Sequence, residues 1–187
     1  MRIIAGNFKG KKIHEPKDKV TRPLKDLTKE SIFNIIKHSN LFDIELEESD
    51  ILDVFAGVGS FGLECLSRGS RSVIFFENYI NVLPILKKNI SNLDYQNKTK
   101  IIQKSIFDHE ALNFLNTKFN IIFMDPPYKE KNFSKILEKM ITLDLLKKNG
   151  IFIIHRHKKE NDKFPIKFEI LKETSYGISK IIFAKKI

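Results

Sequence analysis

The sequence predicts an α/β protein built on a doubly wound, mostly parallel sheet. From Ile51 onward, short apolar runs alternate with segments of helical spacing, which is the pattern of βαβ units. The run Phe119–Met124 is apolar at nearly every position, as in a strand that is buried on both faces of a sheet. The length of 187 residues suits one domain with a small appendage.

The first elements form a separate N-terminal group. Gly6 and Gly10 lie between short apolar pieces of Arg2–Ile13, which predicts a β-hairpin or a looped pair of strands. Residues 15–20 are polar and predict a loop. Apolar residues then recur at helical spacing and predict a helix over Lys25–Lys37.

The remaining elements predict a seven-stranded sheet with helices on both faces. Strands are predicted near Ile51–Phe55, Ser72–Glu77, Thr99–Gln103, Asn120–Met124 and Gly150–Ile154. Helices are predicted near Phe61–Ser67, Ile80–Leu93, Glu110–Leu115 and Phe133–Leu146. The chain ends in a predicted hairpin of Lys167–Thr174 and Ile178–Lys185, joined through Gly177, and one of these strands could run antiparallel to the others.

The composition favours a soluble protein with a polyanionic partner. Hydrophobic residues make up 42% and charged residues 30% of the chain, and no apolar run reaches the length of a membrane span. The first residues lack a signal-peptide core, so we expect a cytoplasmic protein. The single cysteine, Cys65, excludes an internal disulfide and is expected to be a buried, inert thiol. The net charge of +10 favours a polyanion, although lysine-rich surfaces can also serve solubility alone.

The positive charge is concentrated at the N-terminus. Residues 1–40 contain 10 Lys and Arg against 4 Asp and Glu, whereas residues 41–60 contain 6 acids and no base. We therefore divide the chain into a basic extension, residues 1–40, and a main domain, residues 41–187. Lys9, Lys11 and Lys12 stand beside Phe8, and such a mixture suits a nucleic-acid backbone. The alternative is that these lysines only solubilise a small edge element.

A glycine-rich loop follows the first strand of the main domain. Gly57, Gly59 and Gly62 satisfy the spacing G-x-G-x-x-G, so a nicotinamide-binding loop has to be considered. Asp53 argues against a dinucleotide, because a carboxylate there would repel a pyrophosphate but could pair with an ammonium group. Glu77 closes the second strand 20 residues after Gly57, and its carboxylate could accept both hydroxyls of a ribose.

A second candidate site is Asp125-Pro126-Pro127-Tyr128, directly after the apolar run Phe119–Met124. The prolines fix φ and remove two backbone donors, so the carbonyls near Asp125 are free to bind a ligand. An acidic acceptor, a free carbonyl and the ring of Tyr128 could together hold a planar molecule that carries an amino group. The alternative is that the two prolines form only a rigid turn.

Several motifs resemble those of methyltransferases. Asp53-Val54-Phe55-Ala56-Gly57-Val58-Gly59 is similar to the Asp/Glu-x-Phe-x-Gly-x-Gly loop that holds S-adenosylmethionine. Asp125–Tyr128 resembles the Asn/Asp-Pro-Pro-Tyr/Phe motif of enzymes that methylate exocyclic amines of bases and glutamine side chains.

At full length the chain resembles the RsmD family, which methylates N2 of a guanine in small-subunit (16S) ribosomal RNA. The resemblance rests on Arg2–Gly6, Lys9–Ile13, Thr21–Pro23, Glu30–Asn34, Leu63–Gly69, Ser175–Gly177 and Ile181–Phe183. It implies a Rossmann-like class I methyltransferase fold that binds S-adenosylmethionine. It also implies a 16S rRNA substrate, within a small ribosomal subunit or an assembly intermediate, and a monomeric enzyme.

The resemblance also implies roles for individual residues. The expected cofactor-binding residues are Asp53, Phe55, Ala56, Gly57, Gly59, Glu77, Asn78, Ser105 and Ile106. The expected catalytic residues are Asp125, Pro126 and Tyr128. The expected substrate-binding residues are Lys9, Lys11, Lys12, Arg22 and Pro127. Arg22 could clamp a phosphate, close the pocket, or only anchor the helix that follows it.

Two positions depart from the family pattern. Ser105 stands where relatives have Asp or Asn to recognise adenine, so either its hydroxyl or the side chain of Asp108 takes that role. The end of the fifth strand reads Ile154-His155-Arg156-His157, where relatives tend to carry an acid. The sequence contains no cluster of Cys and His, so no metal is predicted.

Three other functions compete with this interpretation. An adenine-N6 methyltransferase acting on DNA or RNA would use the same tetrapeptide, although the chain has no separate target-recognition domain. A nucleic-acid-binding module with a vestigial cofactor pocket would retain the same basic segment. A dehydrogenase would need a hydride-transfer site, and the sequence offers none.

Overall fold

The computed structural model describes residues 1–16, 24–108, 110–127, 130 and 132–187. Its helices are α1 (Asp26–His38), α2 (Ser60–Ser67), α3 (Leu83–Asn92) and α4 (Phe133–Thr142), with a short 3-10 helix at Gln96–Lys98. Its strands are β1 (Asp50–Val54), β2 (Ser72–Phe76), β3 (Thr99–Ile102), β4 (Phe119–Met124), β5 (Leu146–His157), β6 (Phe168–Tyr176) and β7 (Ser179–Lys186).

The strands form one seven-stranded sheet in the order β3-β2-β1-β4-β5-β7-β6. The pairs among β1 to β5 are parallel, and β7 runs antiparallel to both β5 and β6. The predicted terminal hairpin and its antiparallel strand are thereby confirmed. The order reverses at β1, and in such sheets ligands bind where the strands on either side of the reversal end.

Helices cover both faces of the sheet, as predicted. On one face, α1, α2 and α3 and the first residues of the chain bury their apolar side chains against β1, β2 and β4. On the other face, α4 packs on the same strands and on β5, together with Ile106, Ala111, Leu112 and Leu115. Cys65 is buried and free, and burial raises the pKa of its thiol well above the usual value. A thiolate is therefore disfavoured, in agreement with the predicted inert role.

Three predicted elements of the main domain differ from the structure. The helix predicted over Phe133–Leu146 ends at Thr142, and β5 already begins at Leu146. The helix predicted over Glu110–Leu115 is wrong, because this segment forms turns that bury Ala111, Leu112 and Leu115 against the sheet. Six residues are too few to stabilise an isolated helix, so packing decides the local structure. Strand β5 is longer than predicted, because its pairing with β7 continues from Ile154 to His157.

The N-terminal segment is anchored on α2 and α3. A single antiparallel bridge joins Arg2 and Lys12, and Gly6 and Gly10 turn the chain with positive φ angles of 82° and 86°. A Cβ atom on Gly6 would lie 1.7 Å from the carbonyl oxygen of Ser67, so only glycine fits this contact with the end of α2. The predicted hairpin is therefore a tight loop pressed onto the helices.

Candidate active site

The glycine-rich loop connects the end of β1 to the start of α2. Gly57 and Gly59 have φ angles of 55° and 82°, and a Cβ atom on Gly59 would lie 2.6 Å from Leu86. The amide of Ala56 donates to the carbonyl of Phe76 at 3.0 Å, which ties the loop to the end of β2. The loop therefore keeps its backbone close to the sheet edge and leaves no room for larger side chains.

Phe55 also has a positive φ, 62°, which is uncommon for an aromatic residue and costs about 1–2 kcal/mol. Such strain at a ligand-binding loop is a common mark of a functional site. The ring of Phe55 lies 6.0 Å from that of Phe107, which is 43% exposed. Sequence reasoning missed Phe107, since nothing in its local pattern indicates that it would reach the first strand.

Glu77 organises the edge of the pocket at the end of β2. Its Oε2 accepts the amide of Gly57 at 2.6 Å, and its Oε1 accepts the amides of Asn78 at 2.9 Å and Tyr79 at 2.8 Å. A carboxylate has about four acceptor positions, so capacity remains for a ligand hydroxyl. The structure therefore brings Gly57, Glu77 and Asn78 together, as the sequence predicted.

Asp53 lies beneath the glycine-rich loop. Its side chain is buried, with 1% of the residue exposed, and Oδ2 accepts the amide of Gly62 at 2.9 Å. Burial raises the pKa of Asp53 well above its usual value, and the nearby charges of Asp125 and Glu77 raise it further. The site therefore gathers three carboxyl groups close together, which disfavours an anionic ligand such as a pyrophosphate.

Ser105 and Ile106 follow β3 at the same edge. The hydroxyl of Ser105 accepts the amide of Phe107 at 3.2 Å, and Ile106 is buried beneath. The amide of Asp108 donates to the carbonyl of Ser105 at 3.1 Å, while the Asp108 side chain is exposed. Ser105 thus accepts one hydrogen bond within its own turn and still carries a hydroxyl proton that it can donate.

Asp125 lies at the end of β4, beside the glycine-rich loop. Its amide donates to the carbonyl of Val54 at 3.3 Å, and its side chain is 20% exposed. Pro126 is buried and Pro127 is exposed, so the chain reaches the protein surface between these two residues. The structure thus brings Asp125 to the same edge of the sheet as Gly57, Gly59 and Glu77, and we call the space above this edge the cleft. Tyr128 and Arg22, which the sequence predicts for this cleft, lie outside the described residues.

Two consecutive residues of β5 hold this motif. Nδ1 of His155 lies 2.8 Å from Oδ1 of Asp125. Arg156, which is 1% exposed, donates to the carbonyls of Pro127 at 3.3 Å and Glu130 at 3.4 Å. Asp162 neutralises Arg156 through two bonds of 2.9 Å and 2.8 Å. Sequence reasoning missed Arg156, although a charged residue inside an apolar strand is a signal that it has a buried partner.

The predicted lysines lie apart from this cleft. The loop of residues 6–11 packs against the C-terminal ends of α2 and α3, at the sheet edge opposite Asp125. Lys11 donates to the carbonyl of Asn92 and lies 5.0 Å from the ring centroid of Phe8, whereas Lys9 and Lys12 are exposed. The structure therefore does not bring Lys9, Lys11 and Lys12 close to Asp125.

In the described part of the chain, no group of three or more His, Cys, Asp or Glu side chains is placed to hold a metal ion. Two surface hollows of about 310 Å³ each lie near the opposite sheet edge, one beside the acidic residues 43–48 and one beside Lys118, Lys148 and Lys186. None of the helices in the described ranges has the length and apolar character needed to cross a bilayer.

Known proteins resemble this chain over its whole length. YlbH of Bacillus subtilis is 31% identical over 191 residues, covering 100% of this chain and 99% of YlbH. The ribosomal RNA small subunit methyltransferase D of Haemophilus influenzae is 31% identical over 183 residues, covering 95% of this chain and 90% of that protein.

Solved structures share the fold. A structure of HI0767 from Haemophilus influenzae superposes with a TM-score of 0.75 at 28% identity, covering 100% of this chain and 98% of that one. SMU.776, solved in complex with SAH, superposes with a TM-score of 0.62 at 14% identity, covering 86% of this chain and 50% of that one. These likenesses confirm the predicted Rossmann-like methyltransferase fold.

A family model described as "Conserved hypothetical protein 95" matches residues 1–185. The match to nearly the whole chain agrees with the identity to the small subunit methyltransferase D of Haemophilus influenzae. The predicted resemblance is thereby confirmed: the chain belongs to the RsmD family of ribosomal RNA methyltransferases.

Proposed function

We propose that this protein transfers a methyl group from S-adenosylmethionine to the exocyclic N2 of a guanine in small-subunit (16S) ribosomal RNA. The observation that carries the proposal is the hydrogen bond between the Asp125 amide and the Val54 carbonyl, because it joins the acceptor motif to the glycine-rich loop. A methyl donor and an amino group held at these two places would share one cleft. Membership of the family supports ribosomal RNA as the substrate.

The residues of the cleft fit S-adenosylmethionine. We expect Glu77 to accept the ribose hydroxyls and Ser105, Ile106 and Phe107 to contact the adenine. Their position beside the glycine-rich loop supports these roles. The carboxyl groups of Glu77 and Asp125 would favour the positive charges of the methionine end, while the buried Asp53 supports the loop through the Gly62 amide. When bound, S-adenosylmethionine supplies a methyl carbon activated by a sulfonium.

The chain's own residues prepare the amine. The nitrogen of an exocyclic amine is a poor nucleophile, because its lone pair is delocalised into the ring. The Asp125 carboxylate and the Pro126 carbonyl would accept its two N–H groups, leaving the lone pair directed at the methyl carbon. Negative charge on Asp125 stabilises the positive charge that develops on the nitrogen, and the carboxylate or water then accepts the released proton.

The substrate nucleotide must reach this cleft. A guanine inside a helix cannot enter it, so the base would be unpaired or flipped out at a cost on the order of a few kcal/mol. Tyr128 would stack on the base and Pro127 would contact it. For Arg22 the alternatives remain a phosphate clamp, closure of the pocket, or an anchor for the helix that follows it. We place the reaction in the cytoplasm, on a small ribosomal subunit or an assembly intermediate, with a monomeric enzyme.

Residues 1–40 would extend the RNA-binding surface away from the cleft. A ribosomal RNA is large enough to contact both sheet edges, so the exposed Lys9 and Lys12 can bind phosphates while the target base occupies the cleft. The bond between Lys11 and Asn92 adds a structural role for that lysine.

Replacing Lys9, Lys11 and Lys12 together by glutamine is expected to weaken RNA binding. The slope of the logarithm of the binding constant against the logarithm of the salt concentration should become less steep by up to about 2. Affinity for S-adenosylmethionine should not change. RNA titrations at several salt concentrations measure both effects. The control replaces Lys118, Lys148 and Lys167, which are exposed at the starts of β4, β5 and β6. Equal losses of RNA affinity in the two triple variants would show that RNA binding depends only on the net charge of the protein.

Replacing Glu77 by glutamine is expected to weaken S-adenosylmethionine binding by roughly tenfold or more, since a hydrogen bond to a charged group contributes about 1.5–3 kcal/mol. The amide would also place a donor near the Gly57 amide. Isothermal titration measures the change, with Glu45→Gln at an exposed acid as the control. Unchanged affinity would remove Glu77 from the cofactor site.

The function itself is tested by methyl transfer to purified subunits. Small and large ribosomal subunits from a strain lacking this protein are incubated with the enzyme and methyl-labelled S-adenosylmethionine. We expect label in the small-subunit RNA alone. Absence of label together with absence of cofactor binding would instead indicate a nucleic-acid-binding module with a vestigial pocket.

A further inference from the structure

We infer that His155 is a positioning residue, which donates a hydrogen bond from Nδ1 to Asp125 and thereby holds that carboxylate ready to accept the substrate amine. The inference rests on the proposed function and deepens it. Nδ1 and Oδ1 are 2.8 Å apart, and the His155 side chain is only 8% exposed. A buried contact of this length between two side chains from adjacent strands is a defined hydrogen bond.

The direction of the bond follows from the chemistry of the acceptor. An ionised carboxylate has no hydrogen to donate, so the proton of the pair must be on Nδ1. The bond occupies one position on Oδ1 and restricts rotation of the carboxylate. Oδ2 and the remaining position on Oδ1 are then available to an amine in the cleft. A freely rotating Asp125 would present its oxygens in many directions, and misalignment of a catalytic group is costly.

The hydrogen bond between His155 and Asp125 lies beside two other acidic side chains, Asp53 and Glu77. Asp125 and Glu77 add to the effect of burial in raising the pKa of Asp53, so the three carboxyl groups lie close enough to interact. The hydrogen bond with His155 gives Asp125 a donor partner among these acids. This contact is present before the cofactor binds, which keeps the acceptor in place between turnovers.

The backbone around His155 is well fixed. Ile154 pairs with Met124 on β4, and His155 itself pairs with Ile181 on β7, so the residue lies between two neighbouring strands of the sheet. Arg156 points to the other face and binds the carbonyl of Pro127. Successive residues of β5 therefore hold the motif from both faces, His155 at the carboxylate and Arg156 at the loop that follows it.

Three substitutions separate positioning from simple packing. In His155→Asn the amide nitrogen occupies nearly the place of Nδ1, whereas in His155→Gln it lies nearer the place of Nε2. His155→Ala has no donor. We expect His155→Asn to keep kcat close to wild type, while the glutamine and alanine variants lose at least about tenfold in kcat, as misplaced catalytic groups do. Their Kd for S-adenosylmethionine and their thermal midpoints should change little.

Two kinetic results would overturn the inference. One is a kcat for His155→Ala close to that of wild type. The other is an asparagine variant as slow as the alanine variant, because His155 would then contribute shape alone.

A spectroscopic measurement tests the hydrogen bond between His155 and Asp125 without any substrate. Nitrogen-15 NMR of the imidazole reports which ring nitrogen carries the proton. We expect a protonated Nδ1 in the wild type and a changed Nδ1 signal in Asp125→Ala. An unprotonated Nδ1, or a signal that is the same in both proteins, would overturn the inference. If the wild type binds S-adenosylmethionine but methylates no small-subunit RNA, the proposed substrate fails while this measurement still decides the His155 contact.

Discussion

Replacing Asp125 by alanine is expected to lower kcat by roughly 100- to 1000-fold, the usual loss when a preorganised electrostatic group is removed from a transition state. The carboxylate accepts the substrate amine and opposes the positive charge that develops on it. Binding of S-adenosylmethionine should be largely retained, because the contacts of the Glu77 carboxylate with the Gly57, Asn78 and Tyr79 amides do not involve Asp125.

Single-turnover kinetics with small-subunit RNA measure this effect, and titration with S-adenosylmethionine measures the retained binding. Asp43→Ala removes an exposed acid from the connector before β1 and serves as the control for net charge. Asp125→Asn keeps one acceptor oxygen, so its kcat should fall less than that of the alanine variant. Methyl transfer by Asp125→Ala within about tenfold of wild type would exclude the assigned role, because that loss is well below the expected range.

Replacing Glu64 by alanine is expected to lower the free energy of unfolding by about 3–5 kcal/mol, the range for breaking one side of a buried ion pair. Glu64 and Lys29 are both fully buried, with 3.5 Å between Oε2 and Nζ. Glu64 also accepts the amides of Ile4 at 2.7 Å and Ala5 at 2.9 Å and the side chain of Arg68 at 2.8 Å. One carboxylate thus joins α1, α2 and the N-terminal segment.

The pKa of Lys29 explains the size of this effect. Burial lowers it, and the charge of Glu64 only partly offsets the burial. In Glu64→Ala the buried Lys29 ammonium loses its main counter-charge. Adding Lys29→Met to Glu64→Ala removes that charge and should recover part of the loss. Urea unfolding of the two single variants and the double variant measures the coupling. A loss below about 1 kcal/mol for Glu64→Ala, the range of exposed ion pairs, would show that the N-terminal segment is held by other contacts.

Much of the fold could be predicted because most strands carry their own signal. The apolar runs of β1, β2 and β4 are bounded by polar residues or glycine, and their observed limits are within one or two residues of the predictions. The end of β5 could not be predicted this way, because His155-Arg156-His157 interrupts the apolar run. Those residues remain in the strand because β7 pairs with them, and tertiary pairing overrides local preference.

The sequence pointed to the candidate ligand-binding residues, but not to the residues that contact and hold them. Asp125, Glu77, Gly57 and Gly59 belong to short motifs at strand ends, and the structure brings them to one cleft. His155, Arg156 and Phe107 are separated from those motifs in the chain. Their contacts depend on which strands are neighbours in the sheet, and a single sequence does not contain that information in any local pattern.

Mass mapping of nucleosides shows whether this protein methylates N2 of guanine. Small subunits from the deletion strain are incubated with purified protein and S-adenosylmethionine, and their RNA is digested to nucleosides. We expect N2-methylguanosine at a single position, formed by wild-type protein and not by Asp125→Ala. N6-methyladenosine in its place, or a methylated guanine formed equally by both proteins, would contradict the proposed function.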